Sequence, residues 1–289
     1  MTVSKKIEST SLSLQKRLIL HYSELAGWLD TRSWYRDNNV TDTVRSLIWG
    51  RPSRVLELCC GSGLLLETLS AAFPHTDFIG VDISPRMVEC ARERLASRRN
   101  VVVLEGDWIY GFGSEWDHAF DVIIVKNALH VLDRVRAKLK DLKRVSHDRT
   151  TFIVVETVSP TVEANDFIKH LFHFTDPERL KQTFFTQKAL ISAIKQAGWT
   201  QYRPTFVTQF IDTEDWLVQR CGDRLGLEKA RKLLCDAQLS VRRALQFDGE
   251  PGIVPAHMLR LQYIAGHVRA PAEIRPGPYQ SVSAHLYLR

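Results

Sequence analysis

Ten residues, Arg54 to Gly63 (RVLELCCGSG), restrict the fold more than any other stretch. Val55, Leu56 and Leu58 form a short apolar run, the pattern of a strand buried on both faces of a parallel sheet. The chain then turns through Cys59-Cys60-Gly61-Ser62-Gly63 and enters LLLETLSAAF, a helix by pattern. Glycine at 61 and 63 lets the backbone turn sharply and approach a ligand where a Cβ would clash. Nineteen residues beyond Gly63, a second apolar strand, FIGVD, ends in Asp82. A nucleotide-binding fold places the carboxylate that takes ribose hydroxyls about 20 residues past its glycine turn. Strand, glycine turn, helix, strand and acid, in that order, predict a Rossmann-like adenosine site.

Regular alternation of strands and helices from 54 to 158 extends this unit into a doubly wound sheet. Ser84-Pro85 opens the helix RMVECARERLAS, since proline favours the first helical turn. NVVVLEGDW, FDVIIVKNALHVL and TTFIVVETV supply the third, fourth and fifth strands. VEANDFIKHLFHF and FTQKALISAIKQAGW read as helices, RPTFVTQF as a sixth strand and MLRLQYIAGHVRA as a seventh. DTEDWLVQRCG and GLEKARKLLCDAQLSVRRAL read as two helices between those last strands, and a short strand is expected at the end of the tail. Before the first strand, LQKRLILHYSELAGWLD is amphipathic, and a further helix through Val44, Leu47 and Ile48 is capped by Thr41 or Asp42.

The expected division is a helical cap or lid at 1–50, a core at 51–210, a helical insertion at 211–257, and a last strand with tail at 258–289. The 289 residues suffice for one elaborated domain of this kind. No apolar run approaches the roughly 20 residues of a membrane span. MTVSKKIEST has no apolar segment behind its lysines, so a cytoplasmic protein is expected. The net charge of +6 does not imply a nucleic-acid partner: Lys and Arg are scattered or sit on amphipathic helices, without an aromatic-rich basic stripe. Five cysteines, an odd number, point to reduced thiols, and Cys59-Cys60 lacks a second spaced pair for zinc. His170 and His173 share a helical face with no acidic pattern beside them. No metal is expected.

These residues resemble the class I S-adenosylmethionine-dependent methyltransferases, particularly those acting on small molecules. ELCCGSG (Glu57 to Gly63) is similar to the family's glycine motif, with Cys59 where many members have a first glycine. VDIS (Val81 to Ser84) resembles the strand whose acid binds ribose, and GDW (Gly106 to Trp108) the turn that meets adenine. FDVIIVKNALHVL resembles the strand and loop facing methionine and substrate, and FTQKALISAIKQAGW the helix leading into the final hairpin. The ordered set covers about residues 50 to 210 and implies S-adenosyl-L-methionine as cofactor.

For the cofactor, the expected assignments are Asp82 on the ribose diol, Ile83 and Trp108 on the faces of adenine, and Asp107 on its amine. Gly61, Gly63, Glu57 and the carbonyl of Asn127 are the candidates around the methionine end. His130 is the candidate base, with loop orientation as its other role; Asn127 and Tyr110 complete the catalytic set. Tyr110, Tyr22 and Tyr35 are candidates for an aromatic cage around the cationic sulfur. Tyr22, Trp34 and Tyr35 belong to the expected lid, for which core packing is the other reading. The leading expectation is methyl transfer to an O, N or C nucleophile of a small, specialised metabolite by a monomer or homodimer. Two alternatives keep the fold: a cyclase that consumes the cofactor (its own amine attacking the γ-carbon to give azetidine-2-carboxylate and methylthioadenosine) or only borrows its charge, and a binding protein without turnover.

Overall fold

Alternation with period two runs through the central strands and splits the core into two layers. Val55, Val122, Ile124 and Ile153 point to one face of the sheet, while Leu56, Ile123, Val125 and Val154 point to the other. In the computed structural model, which describes residues 13–32, 35–36, 38–175, 184–220, 224–247 and 258–269, these strands form one mostly parallel sheet. β1 (Arg54–Leu58), β2 (Asp77–Asp82), β3 (Val101–Glu105), β4 (Phe120–Lys126) and β5 (Ser146–Ser159) run parallel. A two-residue β6 (Phe185–Thr186) also pairs with β5, while β7 (Thr200–Asp212) and β8 (Met258–Arg269) close the sheet as an antiparallel pair, β8 lying against β5. The order β3-β2-β1-β4-β5-β8-β7 is that of a doubly wound fold with a terminal hairpin.

Helices cover both faces. α1 (Leu14–Leu25) precedes α2 (Asn38–Leu47); α3 (Leu64–Ala72) and α4 (Pro85–Arg94) follow β1 and β2. α5 (Val135–Asp141) and α7 (Gln187–Gln196) pack on the second face through Leu139, Leu190 and Ile194. α6 (Val162–Thr175), α8 (Thr213–Arg220), α9 (Arg224–Cys235) and α10 (Leu239–Leu245) join α2, α3 and α4 on the first. The start signal at Ser84-Pro85 acts as the sequence implies, Ser84 Oγ accepting from Met87 N at 3.2 Å with Pro85 in the first turn; at α7, Thr186 Oγ1 accepts from Ala189 N at 3.2 Å. No helix among the described residues is long and apolar enough to cross a membrane.

Three expectations are corrected. α2 begins at Asn38 rather than at Thr41 or Asp42, and its buried Val40, Val44 and Leu47 pack into the core against the sheet. Its amphipathic stripe serves the core, so residues 38–47 are not part of a lid. The insertion holds three helices, because Gln238 is extended and restarts the chain as α10. Those helices lie against α6, with Phe172 edge-on to Trp216 at 5.2 Å and Phe167 to Phe247 at 5.3 Å, so the insertion thickens the first layer. The expected tail strand falls outside the described residues.

The glycine turn can close only if β2 is bare beneath it. A Cβ at Gly80 would stand 2.5 Å from Leu66 Cδ1 and 2.9 Å from Cys60 Sγ. Gly80→Ala is therefore expected to destabilise the fold by about 1–3 kcal/mol, the usual cost of overpacking. A urea melt checks this through a lowered midpoint at unchanged slope, and an unchanged midpoint would mean that Leu66 yields freely.

Candidate active site

β1 leaves the sheet centre toward β2 on one side, and β4 lies on its other side, so the strand order reverses between β1 and β4. Ligands of open α/β sheets bind in the crevice that such a reversal opens at the carboxyl ends of the strands. Here the backbone is held in unusual conformations. Cys59 (φ 56°), Gly61 (φ 55°) and Gly63 (φ 78°) are left-handed after β1, as are Asn127 (φ 50°) after β4 and Trp108 (φ 60°) after β3. Asparagine tolerates this region; cysteine and tryptophan take it at a cost of roughly 1–2 kcal/mol each. A Cβ on Gly61 would lie 2.9 Å from Tyr35 Oη, and one on Gly63 2.9 Å from Leu95 Cδ1. Gly63 so close to α4 seals the turn onto the helix that follows Asp82.

Asp82 sits at the middle of the crevice. Its Oδ2 accepts from Gly61 N at 2.8 Å and its Oδ1 from Ser84 N at 2.9 Å, tying the glycine turn to the start of α4. Burial raises the Asp82 pKa, and the amides of Ser84, Gly61 and Ile83 pull it back. Two lobes meet there, sharing Cys59, Asp82, Ile83, Leu18 and Leu132 in their walls.

The first lobe carries Ile83, Gly106, Asp107, Trp108 and Tyr110. Trp108 is nearly all core, its Nε1 donating to the Lys138 carbonyl at 3.1 Å, so only part of its ring faces the lobe. Asp107 Oδ1 accepts from the buried Lys138 Nζ at 3.3 Å. Tyr110 is exposed, donates its hydroxyl to Asp141 at 2.7 Å, and has its pKa pushed up to about 12, first by desolvation and then by that bond. It therefore stands in the lobe away from Tyr22 and Tyr35, and the three tyrosines do not form one cage.

The second lobe contains Glu57, Lys126, Asn127, Tyr22 and Tyr35 over an apolar wall that includes Leu65. Glu57 is 1% exposed, and desolvation raises its pKa strongly. Its Oε2, like Asn127 Oδ1, is buried without a hydrogen-bond partner. Buried acceptors without partners are rare and need a reason. Lys126 ends β4 and places Nζ 5.3 Å from the centre of the Tyr35 ring. Burial drives the Tyr35 hydroxyl pKa well above its ordinary value.

The N-terminal segment straps this lobe. Asp30 accepts from Ser62 Oγ at 2.5 Å and pairs with Arg94, which also donates to Ser62 O at 2.9 Å and to Glu67 at 3.1 Å. Ser23 Oγ lies 3.0 Å from Ser84 Oγ. Trp34 falls outside the described residues. His130 does not line either lobe: its Nδ1 sits 2.9 Å from Glu156 Oε1, and its ring stacks on Phe184. Glu156 is wholly buried and also accepts from Leu129 N at 2.8 Å and Thr157 N at 3.0 Å, so His130 belongs to the bracing of the loop after β4. Desolvation raises the thiols of Cys59 and Cys60, which keeps them protonated and unreactive.

Lys126, Asp30, Arg94 and Glu156 are the residues that sequence reasoning missed. A lysine closing an apolar strand at its carboxyl end was the available signal for Lys126; the others act through partners distant in the chain. Asp82→Ala removes the tie between the two loops and the acceptor at the centre of the crevice. It is expected to weaken S-adenosylmethionine binding at least tenfold and to lower stability by about 1–3 kcal/mol. Calorimetric titration and a urea melt read the two effects; unchanged affinity would remove Asp82 from the site.

Residues 56–152 match a methyltransferase domain model. The demethylmenaquinone methyltransferase of Staphylococcus saprophyticus is 32% identical over 110 residues, which are 38% of this chain and 46% of that protein. The chain thus spans about half the length of this curated relative. Among solved structures, the YcgJ protein of Bacillus subtilis superposes with a TM-score of 0.70 at 19% identity, covering 81% of this chain and 99% of that one. The [4+2]-cyclase SpnF superposes with a TM-score of 0.55 at 15% identity, covering 83% of this chain and 84% of that one, a likeness of fold alone. Over residues 56–152 the chain is thus similar to a methyltransferase domain, and its fold is that of the solved structures it resembles.

Proposed function

We propose that this chain is an S-adenosylmethionine-dependent methyltransferase acting on a small, largely apolar acceptor enclosed in the second lobe. The observation that carries this reading is a two-lobed crevice centred on Asp82 whose methionine side holds two buried, unpartnered acceptors, Glu57 Oε2 and Asn127 Oδ1. An ammonium group brings donors and positive charge to that place and would satisfy both atoms. The donor set fits the cofactor. Asp82 would take the diol, Ile83 and the exposed part of Trp108 would contact the adenine, and Asp107 would accept from its amine.

When bound, the cofactor supplies a methyl group on a sulfonium, already a strong electrophile. What remains for the protein is to hold an acceptor in line and keep water out. Leu18, Leu29, Leu65 and Met87 give the acceptor an apolar wall. Tyr22 and Tyr35 add aromatic surface to that wall. The strap through Asp30, Ser62 and Arg94 holds α1 and its turn over the crevice. Glu57 and Asn127 also weigh against the self-cyclising reading: accepting N–H bonds from the ammonium keeps its nitrogen from offering a lone pair.

Incubating the purified protein with S-adenosylmethionine alone and identifying the products by mass spectrometry separates the readings. Methyl transfer predicts an intact cofactor until an acceptor is added, then S-adenosylhomocysteine. Methylthioadenosine well above the spontaneous background, without acceptor, would contradict it and establish self-cyclisation.

A further inference from the structure

Glu57 and Lys126 lie on adjoining parallel strands. Glu57 pairs with Ile124, so Lys126 is its diagonal neighbour two residues on, and both side chains leave the same face of the sheet. Both line the second lobe, as does Asn127, whose Oδ1 is buried without a partner. A charged lysine sits poorly there by simple electrostatics, since the cofactor that the lobe would receive carries a sulfonium and an ammonium against a single carboxylate, a net positive charge. A permanent further cation turned toward the sulfonium would oppose binding. The structure resolves the conflict if the lysine gives up its proton.

We propose that Lys126 is the general base of the reaction, its amine taking the acceptor's proton once the cofactor's amino group has occupied Glu57. This rests on the methyltransferase reading above. The charged and titratable groups that face Lys126 are Glu57 from β1, Glu156 from β5 and the Tyr35 ring from the N-terminal segment; Asp82 from β2 acts on Glu57, and Glu156 is bridged to His130. Burial lowers the Lys126 pKa, and Glu57 and Glu156 oppose that fall. An arriving ammonium engages Glu57, and the sulfonium adds repulsion. Both changes favour the neutral amine, and desolvation already does so.

The proton balance is simple. The acceptor's X–H proton passes to the Lys126 Nζ lone pair, and the electron pair left on X forms the bond to the methyl carbon. The C–S bond breaks with its pair remaining on sulfur, which becomes a neutral thioether. Lys126, now an ammonium, is back in its resting charge state as the products leave, and that proton goes to solvent when the next cofactor binds. Such a base matters for an acceptor that is a poor nucleophile until deprotonated. With the apolar wall of the lobe, this defines the substrate class as a phenol or an enolisable carbon acid on an apolar skeleton.

Calorimetric titration with S-adenosylmethionine at neutral pH, in two buffers of different ionisation enthalpy, counts the protons released on binding. Arginine in this place keeps its charge at any ordinary pH. The wild type should release about one more proton than Lys126→Arg and bind at least tenfold more tightly; a thermal melt confirms that the variant is folded. Lys126→Met, which removes the cation, should retain binding. Equal proton counts and equal affinities for wild type and Lys126→Arg would overturn the proposal, since the lysine would then stay charged. A folded Lys126→Met that no longer binds would overturn it too, by making Lys126 part of the cofactor's hold. No binding by the wild type would defeat the methyltransferase reading itself, and this inference with it. For an acceptor identified by mass spectrometry, kcat should fall at least about a hundredfold in Lys126→Arg; a kcat within a few-fold of wild type would again overturn it.

Discussion

Two carboxylates held out of water at the ends of neighbouring strands, Glu57 on β1 and Asp82 on β2, set the terms for the rest of the site. Charge in such a place is tolerated only with compensation. Asp82 obtains it internally, from the amides of Gly61 and Ser84. That arrangement dictates the left-handed turn, the bare Gly80 beneath it, and the close approach of α4 at Gly63. Glu57 obtains it only in part, from Lys126, and keeps an oxygen without a partner. The fold thus builds one carboxylate that organises its own loops and another that is left in want of a cation.

The N-terminal segment divides along similar lines. α2 is core, because Val40, Val44 and Leu47 fill space against the sheet. α1 and the turn at Leu29–Thr31 are held differently, by a small apolar cluster of Leu18 on Val131 and by the polar ties of Ser23 and Asp30 to Ser84, Ser62 and Arg94. Such a small cluster with polar ties can release and re-form without unpacking the main core, which suits a cover over a crevice that must admit ligands. The amphipathic stripes of both helices look alike in sequence, and only their partners separate them.

That difference explains what was legible beforehand. The sheet, the glycine turn and Asp82 follow from local signals: period two along β1 and β4, glycine where φ is positive, and an acid at a fixed distance. The partners of Tyr110, His130 and Trp108 were not legible, because each lies about 30 residues away: Asp141, Glu156 and the Lys138 carbonyl. Lys126 escaped notice because a lysine at a strand end ordinarily reaches for water. Here the Tyr35 ring covers it and Glu57 shares its face, neither of which spacing alone reveals.

The central claim is that the crevice holds one elongated ligand, with Asp82 at its waist and Glu57 at its amino end. A crystal structure of the protein with S-adenosylhomocysteine tests it directly. The account predicts the ribose diol on Asp82, the adenine between Ile83 and Trp108, and the ammonium within hydrogen-bond distance of Glu57 Oε2 and Asn127 Oδ1. A ligand lying the other way round, with its amino end toward Tyr110, or one leaving Glu57 Oε2 unpartnered, would contradict it.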